Sequence, residues 1–245
     1  MENKQNQVAV YLDNLSSLTL VEDKTVESAF VQAFEAIHGT SGMAQYQKEK
    51  FYFMKLLQEN PELQECTKLS LYGCFMEIGN LGLSLDNTSK PLAYMIWRNA
   101  KSGRKNDKNQ DIYEKRAYLL VTGYGELVQR QRAGQIKYAD NPIVVYEGDL
   151  FEPGIDEHGK KYVKYKMAFP RKSKRIIACF IKLTRTDGSE DFQWMLEDEF
   201  DRLKEYSAKA NSKWVSDERG QKKKVIGDAN ALYSSVNGGI DPGFL

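Results

Sequence analysis

The spacing of apolar residues changes at Leu92, and this change constrains the fold more than any other feature of the sequence. Before it, apolar residues recur at intervals of three and four, as at Phe30, Phe34 and Ile37, which is the spacing of an amphipathic helix. After it, short runs rich in aromatic and large aliphatic residues begin, as at residues 92–97, and such runs are typical of strands. The sequence therefore predicts an α+β fold, with helices packed on a small, mostly antiparallel sheet.

The same patterns predict the individual elements. Helices are predicted around residues 30–37, 45–59, 67–80, 126–133 and 197–209 and near Ala229, with Phe51, Met54, Leu57, Leu69, Phe75 and Ile78 facing a core. Strands are predicted at residues 92–97, 118–122, 143–146, 162–168, 176–184 and 191–195. Residues 98–116 are interpreted as the long basic tip of a hairpin, and residues 147–159 as an acidic turn region. Residues 1–24 are polar and predict a mobile N-terminal arm, followed by a single domain at residues 25–245.

Charge is strongly segregated although the net charge is only +1. Residues 98–137 carry 10 basic and 4 acidic residues, and residues 160–185 carry 10 basic and no acidic residues. Two such blocks could line one positive groove that holds nucleic acid. The alternative is that the charged side chains simply lie on solvent-exposed strand faces. For residues 160–185, the groove is the favoured interpretation.

Five motifs follow one another between Gly82 and Asp149. They are GLSLD at 82–86, LAYMI at 92–96, RAYLLVTGYGEL at 116–127, RQRAGQI at 130–136 and VVYEGD at 144–149. This succession resembles the core of the RecT family of phage-type recombinases, and the resemblance extends over residues 45–245. It implies a protein that binds single-stranded DNA and anneals complementary strands without ATP, in homologous recombination.

The resemblance also implies the partners. They are single-stranded DNA, the annealed duplex intermediate, further copies of the chain in a ring or helical filament, a 5′–3′ exonuclease and a host single-strand binding protein. No cofactor is implied. The sequence departs from the family pattern at two places. At the first, Gly125 follows Tyr124 where the family carries a cation. The basic C-terminal helix and partner-binding tail of the family are also expected to be missing.

Candidate DNA-binding residues are the cations of the two basic blocks and one tyrosine. Each cation that neutralises a phosphate releases condensed counterions, which favours binding. Tyr124, between two glycines, could stack on any base because every base has a π-face; for Tyr94 and Tyr118 a place in the core is favoured. The predicted set is Lys101, Arg104, Lys105, Arg116, Tyr124, Arg132, Lys137, Lys164, Lys166, Arg171, Lys172, Lys174 and Arg175. Arg116 and Arg132 also match basic positions of the family. For either arginine, the alternative to DNA binding is a salt bridge within the fold.

Several other functional classes are disfavoured. The sequence has no glycine-rich loop ending in Lys-Ser or Lys-Thr, which argues against ATP hydrolysis. Its three cysteines and two histidines lack zinc-binding spacing, so free thiols and no metal are expected. A polar N-terminus and the lack of a long apolar segment predict a cytoplasmic protein without a membrane partner.

Two alternatives to annealing remain open. One is a metal-dependent nuclease, for which Glu147 and Asp149 or the carboxylates of residues 197–201 would be the ligands, although structural roles are favoured for both groups. The other is a passive single-stranded DNA-binding protein that protects DNA without pairing it.

Overall fold

A computed structural model describes residues 2–217, 221–229 and 233 of the chain. The chain forms two units, Met1–Arg130 and Gln131–Leu245, whereas the sequence predicted one domain from residue 25 onward. Two separate clusters of buried apolar side chains account for the division. Helices and small antiparallel sheets make up both units, so the predicted α+β class is confirmed.

The first unit is helical as far as residue 81. Its helices are α1 (Glu2–Asp13), α2 (Lys24–His38), α3 (Gly42–Glu59), α4 (Pro61–Gln64) and α5 (Lys68–Leu81), with a 3-10 turn at Leu20–Glu22. The Asp23 carboxylate accepts hydrogen bonds from the N–H groups of Thr25 and Val26 where α2 begins. The Thr67 hydroxyl accepts one from the Ser70 N–H where α5 begins. These caps pair donors that a first helical turn leaves unsatisfied.

Aromatic side chains fill the core of the first unit. Phe30, Tyr46, Phe53 and Phe75 are fully buried. The ring centroid of Phe75 lies 4.8 Å from that of Phe30 and 5.1 Å from that of Phe53. Since aromatic pairs at this distance add to the stabilisation from burial, Phe75 ties α5 to both α2 and α3.

Some predictions for the first unit are wrong. Residues 1–24 were expected to be mobile, but Leu12 and Leu20 are buried in the core, because a few apolar anchors suffice to dock a mostly polar segment. Phe51 and Leu69 were expected in the core, but their side chains are 63% and 47% exposed. Helical spacing identifies an apolar stripe without showing how much of its width a neighbouring element covers.

A long two-stranded ribbon follows the helices. Strand β1 (Ala93–Lys105) pairs antiparallel with β2 (Asp111–Val121). Most of residues 98–116, predicted as a loop, is therefore strand, and only residues 106–110 connect the two. Polar composition misled the prediction because the outer ribbon covers no core. Its backbone ladder holds it together instead.

Helix α6 (Gly123–Arg132) begins directly after β2 and confirms the helix predicted there. Gly134 follows with a φ of 68°. A glycine adopts this left-handed conformation without steric cost and ends a helix. The boundary between the two units falls within α6.

The second unit is built on a four-stranded antiparallel sheet. The strands that follow α6 are β3 (Ile136–Ala139), β4 (Ile143–Tyr146), β5 (Leu150–Ile155), β6 (Lys161–Lys166), β7 (Ile176–Arg185) and β8 (Glu190–Leu196). Strand β7 is central, since β8 pairs along one edge while β3 and β4 pair along the other. The β7–β8 hairpin turns at Asp187 and Gly188, as predicted, with Gly188 at a φ of 83°.

Strands β5 and β6 form a separate hairpin that packs on this sheet. The ring centroids of Phe151 and Tyr165 lie 5.8 and 5.4 Å from that of Phe180 on β7. Residues 147–159, predicted as a turn region, thus contain a strand. Its proline and glycine concealed it, because both residue types are rare inside strands.

Helix α7 (Glu197–Ala210) confirms the last long helix predicted. The segment after it, predicted as a loop, contains a further hairpin of β9 (Lys213–Ser216) and β10 (Lys222–Val225). The short helix predicted near Ala229 falls mostly on residues outside the described part of the chain.

Candidate nucleic-acid interface

One face of the β1–β2 ribbon carries exposed aromatic, aliphatic and arginine side chains. Side chains alternate between the two faces of a strand, and the face that holds Met95 and Ala117 is buried against the helical core. The opposite face, called the hairpin face below, consists of Tyr94, Ile96, Arg98, Arg116, Tyr118 and Leu120. Tyr94, Tyr118 and Leu120 are 44%, 42% and 50% exposed. The ribbon therefore presents apolar surface to solvent.

Strand register brings these side chains together in pairs. Tyr94 lies opposite Leu120, Ile96 opposite Tyr118, and Arg98 opposite Arg116. Directly opposite side chains in a sheet are close enough to contact each other. An apolar strip therefore runs into a pair of guanidinium groups, an arrangement suited to bases that stack and phosphates that carry negative charge.

The two arginines have only one carboxylate between them. Arg116 donates to Glu114 with an Nε–Oε1 distance of 2.8 Å. The Arg98 side chain is exposed and makes no hydrogen bond or ion pair with any residue that the structure describes. Like charges directly opposite on neighbouring strands destabilise a sheet. A bound phosphate would neutralise that repulsion, so the pair is a candidate phosphate site.

Arg98 is a residue that the sequence analysis missed. Residues 98–116 were interpreted as a loop, in which no side chain has a defined neighbour. The alternation of Tyr94, Ile96 and Arg98 continues the strand through the arginine, and that signal could have identified it. The core position favoured for Tyr94 and Tyr118 is also wrong, since both are exposed.

Two of the three cations predicted at the ribbon tip form ion pairs. Lys101 lies 2.5 Å from Asp111, and Arg104 lies 3.5 Å from Glu114. The hydrogen bond that Lys101 donates to the Asp111 carboxylate raises the pKa of Lys101. Exposed pairs of this kind contribute about 0–1 kcal/mol, so DNA can compete with them. Lys105 has no such partner among the described residues.

Tyr124 lies at the start of α6 with 39% of its surface exposed. The Lys90 ammonium lies 4.9 Å from its ring centroid, a distance at which a cation is attracted to an aromatic face. An exposed ring next to a cation fits the stacking role predicted for it, which stays a prediction.

Close packing explains why the residue after Tyr124 is a glycine. A Cβ atom on Gly125 would clash with the backbone carbonyl of Leu92 and approach Val121 to 2.9 Å. No side chain fits there without moving backbone. A larger residue, such as the cation that the family resemblance implies at this turn, is excluded here because the Leu92 carbonyl lies against Gly125.

The cations on the β5–β6 hairpin lie on its outer face. Lys164 and Lys166 alternate with the inward-facing Val163 and Tyr165. Lys164 lies 3.5 Å from Glu152 on β5, and Lys166 has no ion-pair partner among the described residues. Both cations face away from the core of the second unit, where a phosphate chain can reach them.

Residues 167–175 connect β6 to β7 and are called the basic loop. The Arg171 guanidinium lies 3.7 Å from the ring centroid of Tyr146. Arg175 lies 2.9 Å from Glu197 and 3.6 Å from Glu147. These two arginines hold the loop in place. Two further cations of the loop, Lys172 and Lys174, are exposed and unpaired among the described residues, which leaves them available to an anion.

The last two predicted cations lie where the second unit begins. Arg132 is exposed at the end of α6, and Lys137 is exposed on β3. Their neighbour Arg130 is held by Glu126 at 3.0 Å.

The predicted DNA-binding residues divide between the two units. Lys101, Arg104, Lys105, Arg116 and Tyr124 belong to the first unit, and Arg132, Lys137, Lys164, Lys166, Arg171, Lys172, Lys174 and Arg175 belong to the second. Each unit thus brings together its own set of cations. The expectation that all of them line one groove stays a prediction.

Asp149, one of the carboxylates considered as metal ligands, has structural partners. Asp149 accepts hydrogen bonds from the N–H groups of Tyr146 and Ala168 at 3.0 and 2.8 Å. Burial alone would raise the pKa of Asp149, but these bonds and one from the Tyr165 hydroxyl hold that pKa below its ordinary value. Among the described residues, no cluster of three or more His, Cys, Asp or Glu side chains could hold a metal ion.

The thiols are poor nucleophiles. Burial raises the pKa of Cys66 and Cys179, and it raises the pKa of Cys74 to about 12. A thiol with a raised pKa forms little of the reactive thiolate at neutral pH.

Within the described part of the chain, every helix is too short or too polar to cross a lipid bilayer.

Comparison with known protein families identifies the family of the chain. The family model described as the RecT family matches residues 50–232. The matched segment contains the whole hairpin face, the basic loop and all the predicted DNA-binding residues. No curated protein matches the chain.

Proposed function

The chain belongs to the RecT family, and we propose that it binds single-stranded DNA and anneals complementary strands without ATP, in phage-type homologous recombination. The observation that carries the proposal is the hairpin face, where exposed aromatic and aliphatic side chains lead into the Arg98–Arg116 pair. Its chemistry matches a polymer of flat apolar bases joined by phosphates.

The hairpin face supports binding without sequence preference. Tyr94 and Tyr118 offer ring faces, on which any base can stack. Arg98 and Arg116 offer charge to the phosphates, which are the same in every nucleotide. An annealing protein has to accept every sequence, and contacts of these two kinds allow that.

Annealing also requires that the bases remain readable. Contacts to phosphates and ring faces leave the Watson–Crick edges of a held strand free. A second strand can then test its complementarity against the first by base pairing alone. Charge neutralisation by the cations of both units lowers the repulsion between the two strands, so pairing is faster than in free solution.

The proposal includes the partners implied by the family. The chain would act as a homo-oligomer, a ring or a helical filament, on the annealed duplex intermediate. It would work in the cytoplasm beside a 5′–3′ exonuclease that exposes the single strand and a host single-strand binding protein. Residues 138–159, between the two basic blocks in the sequence, carry 6 acidic and no basic residues, which is compatible with contacts between the oppositely charged stretches of neighbouring copies.

An annealing assay without ATP tests the proposal. Complementary oligonucleotides carrying a fluorescent donor and acceptor are mixed with and without the protein, and the rate of duplex formation is measured. We expect the protein to accelerate pairing and to leave both strands at full length in the presence of magnesium or manganese. Slower pairing would identify a passive binder, and steady cleavage would identify a nuclease; either result would refute annealing.

A further inference from the structure

The basic loop projects one aromatic ring almost entirely into solvent. Phe169 is 91% exposed, more than any other large apolar side chain in the described part of the chain. Burial of such a side chain is favourable because it removes a large apolar surface from water. The protein leaves that stabilisation unused in the free state.

The backbone on both sides of Phe169 is anchored. The Ala168 N–H donates to Asp149 at 2.8 Å, and the Arg171 guanidinium lies over Tyr146 at 3.7 Å. The Tyr146 N–H itself donates to Asp149 at 3.0 Å. One cluster therefore holds the loop immediately before and shortly after the exposed ring. A ring held in this way loses little conformational freedom when a ligand binds it.

The surroundings of the ring are cationic. Lys166, Lys172 and Lys174 lie within five residues of it and have no ion-pair partner among the described residues. Residues 160–185 contain no acidic residue. A partner protein that buried Phe169 would also have to neutralise these cations. A nucleic acid strand has both required parts, a flat apolar base and a phosphate on either side of it.

We propose that Phe169 stacks on a base of the bound single strand while Lys166, Lys172 and Lys174 hold the flanking phosphates. The inference rests on the proposed function and deepens it, because it assigns a base contact to the second unit, for which the sequence predicted only cations. Stacking on Phe169 is independent of sequence and leaves the Watson–Crick edge of the base free. The ring thus serves the same purpose as the tyrosines of the hairpin face.

Phe169→Ala and Phe169→Tyr test the inference, with Phe51→Ala as the matched control. Phe51 is a phenylalanine that is 63% exposed on α3. Binding of a fluorescent oligothymidine is measured by anisotropy over a range of salt concentrations. Phe169→Ala should bind about 5- to 100-fold more weakly. Phe169→Tyr and Phe51→Ala should bind as the unchanged protein does.

The salt dependence separates stacking from charge. Phe169→Ala should leave the slope of log K against log salt unchanged, because no phosphate contact is lost. Lys172→Ala should lower the magnitude of that slope by about 0.7, the contribution of one phosphate on a single strand. A strand labelled with 2-aminopurine should show a stacking-dependent change in fluorescence on binding, and Phe169→Ala should reduce it.

Two results would overturn the inference. The first is equal affinity for single-stranded DNA in Phe169→Ala and the unchanged protein. The second is a smaller oligomer of Phe169→Ala by light scattering with the same affinity per subunit, which would assign the ring to contacts between copies. Failure of the unchanged protein to bind DNA would instead refute the proposed function itself, so the two failures are distinguishable.

Discussion

Replacement of Arg98 by alanine should weaken DNA binding without destabilising the protein. Arg98 lies opposite Arg116 on the ribbon, and its side chain has no hydrogen-bond or ion-pair partner among the described residues. Its removal ends a contact between like charges, which are unfavourable by roughly 0.2–1 kcal/mol in cross-strand pairs. The free energy of unfolding should therefore stay the same or increase by that amount, as measured by urea denaturation.

The loss of DNA affinity has an equally specific signature. One phosphate contact contributes about 0.7 to the slope of log K against log salt on single strands. Between 50 and 200 mM salt, the unchanged protein should therefore lose about 2.6-fold more affinity than Arg98→Ala. Arg98→Lys should retain the slope because it keeps the charge. Lys48→Ala, at an exposed lysine on α3, is the control for loss of a cation elsewhere in the first unit.

Two outcomes would refute this reasoning. A clear decrease in the stability of Arg98→Ala would mean that the guanidinium stabilises the fold. An unchanged salt slope would mean that no phosphate is bound at the pair. In the second case Arg98 and Arg116 would have no role in phosphate binding, and the proposed function would depend on the cations of the second unit.

Three further changes test the packing that positions the site. Glu49 is fully buried, and burial raises the pKa of its carboxyl group. The folded protein therefore holds the carboxyl proton more tightly than the unfolded chain does. As a result, the free energy of unfolding falls as pH rises through the raised pKa. Glu49→Gln should remove that fall in urea denaturation measured across pH. Asp149→Ala should cost about 1–3 kcal/mol in free energy of unfolding. Because its pKa is lowered, the stabilisation by Asp149 is complete above the ordinary aspartate pKa and is lost as pH falls through the lowered one, so the variant should lack this acid-dependent loss. Gly125→Ala, which forces a clash with Leu92, should cost about 1–3 kcal/mol and lower the melting temperature, whereas Gly123→Ala, with no atom near the added Cβ, should not. Equal melting temperatures for both glycine variants would contradict the packing argument.

Predictions from sequence succeeded where a short segment contained its own signal. The helices around Phe30 and Phe75 have regular apolar spacing, and the β7–β8 hairpin has an Asp-Gly turn between two strand-like runs. Such features depend on neighbouring residues alone. Their boundaries were accordingly correct to within a few residues, apart from α2, for which only the region was predicted.

Predictions failed where structure depends on a distant segment. The polar stretch of residues 98–116 is strand because its two halves pair with each other. Residues 1–24 dock through Leu12 and Leu20 because a core formed by later helices accepts them. Neither outcome can be read from local composition, since the stabilising partner lies elsewhere in the chain.

The candidate site divides in the same way. The cations of both blocks could be identified from the sequence, since clustered lysines and arginines without carboxylates are visible in composition. Alternation with Tyr94 and Ile96 could have placed Arg98 on a strand, but only the strand register shows that it lies opposite Arg116. Phe169 gave no signal, because one phenylalanine in a basic stretch fits a core position as well as an exposed one.

The amino-acid sequence was sufficient to predict the α+β class, the main helices and hairpins, and which stretches carry positive charge. These properties depend on spacing and composition over a dozen residues. The folded structure was needed to show that Tyr94 and Tyr118 face solvent, that Arg98 lies opposite Arg116, and that Phe169 projects from an anchored loop. Strand register and loop anchoring are responsible, because they join residues far apart in the chain and decide which face of each element the core leaves uncovered.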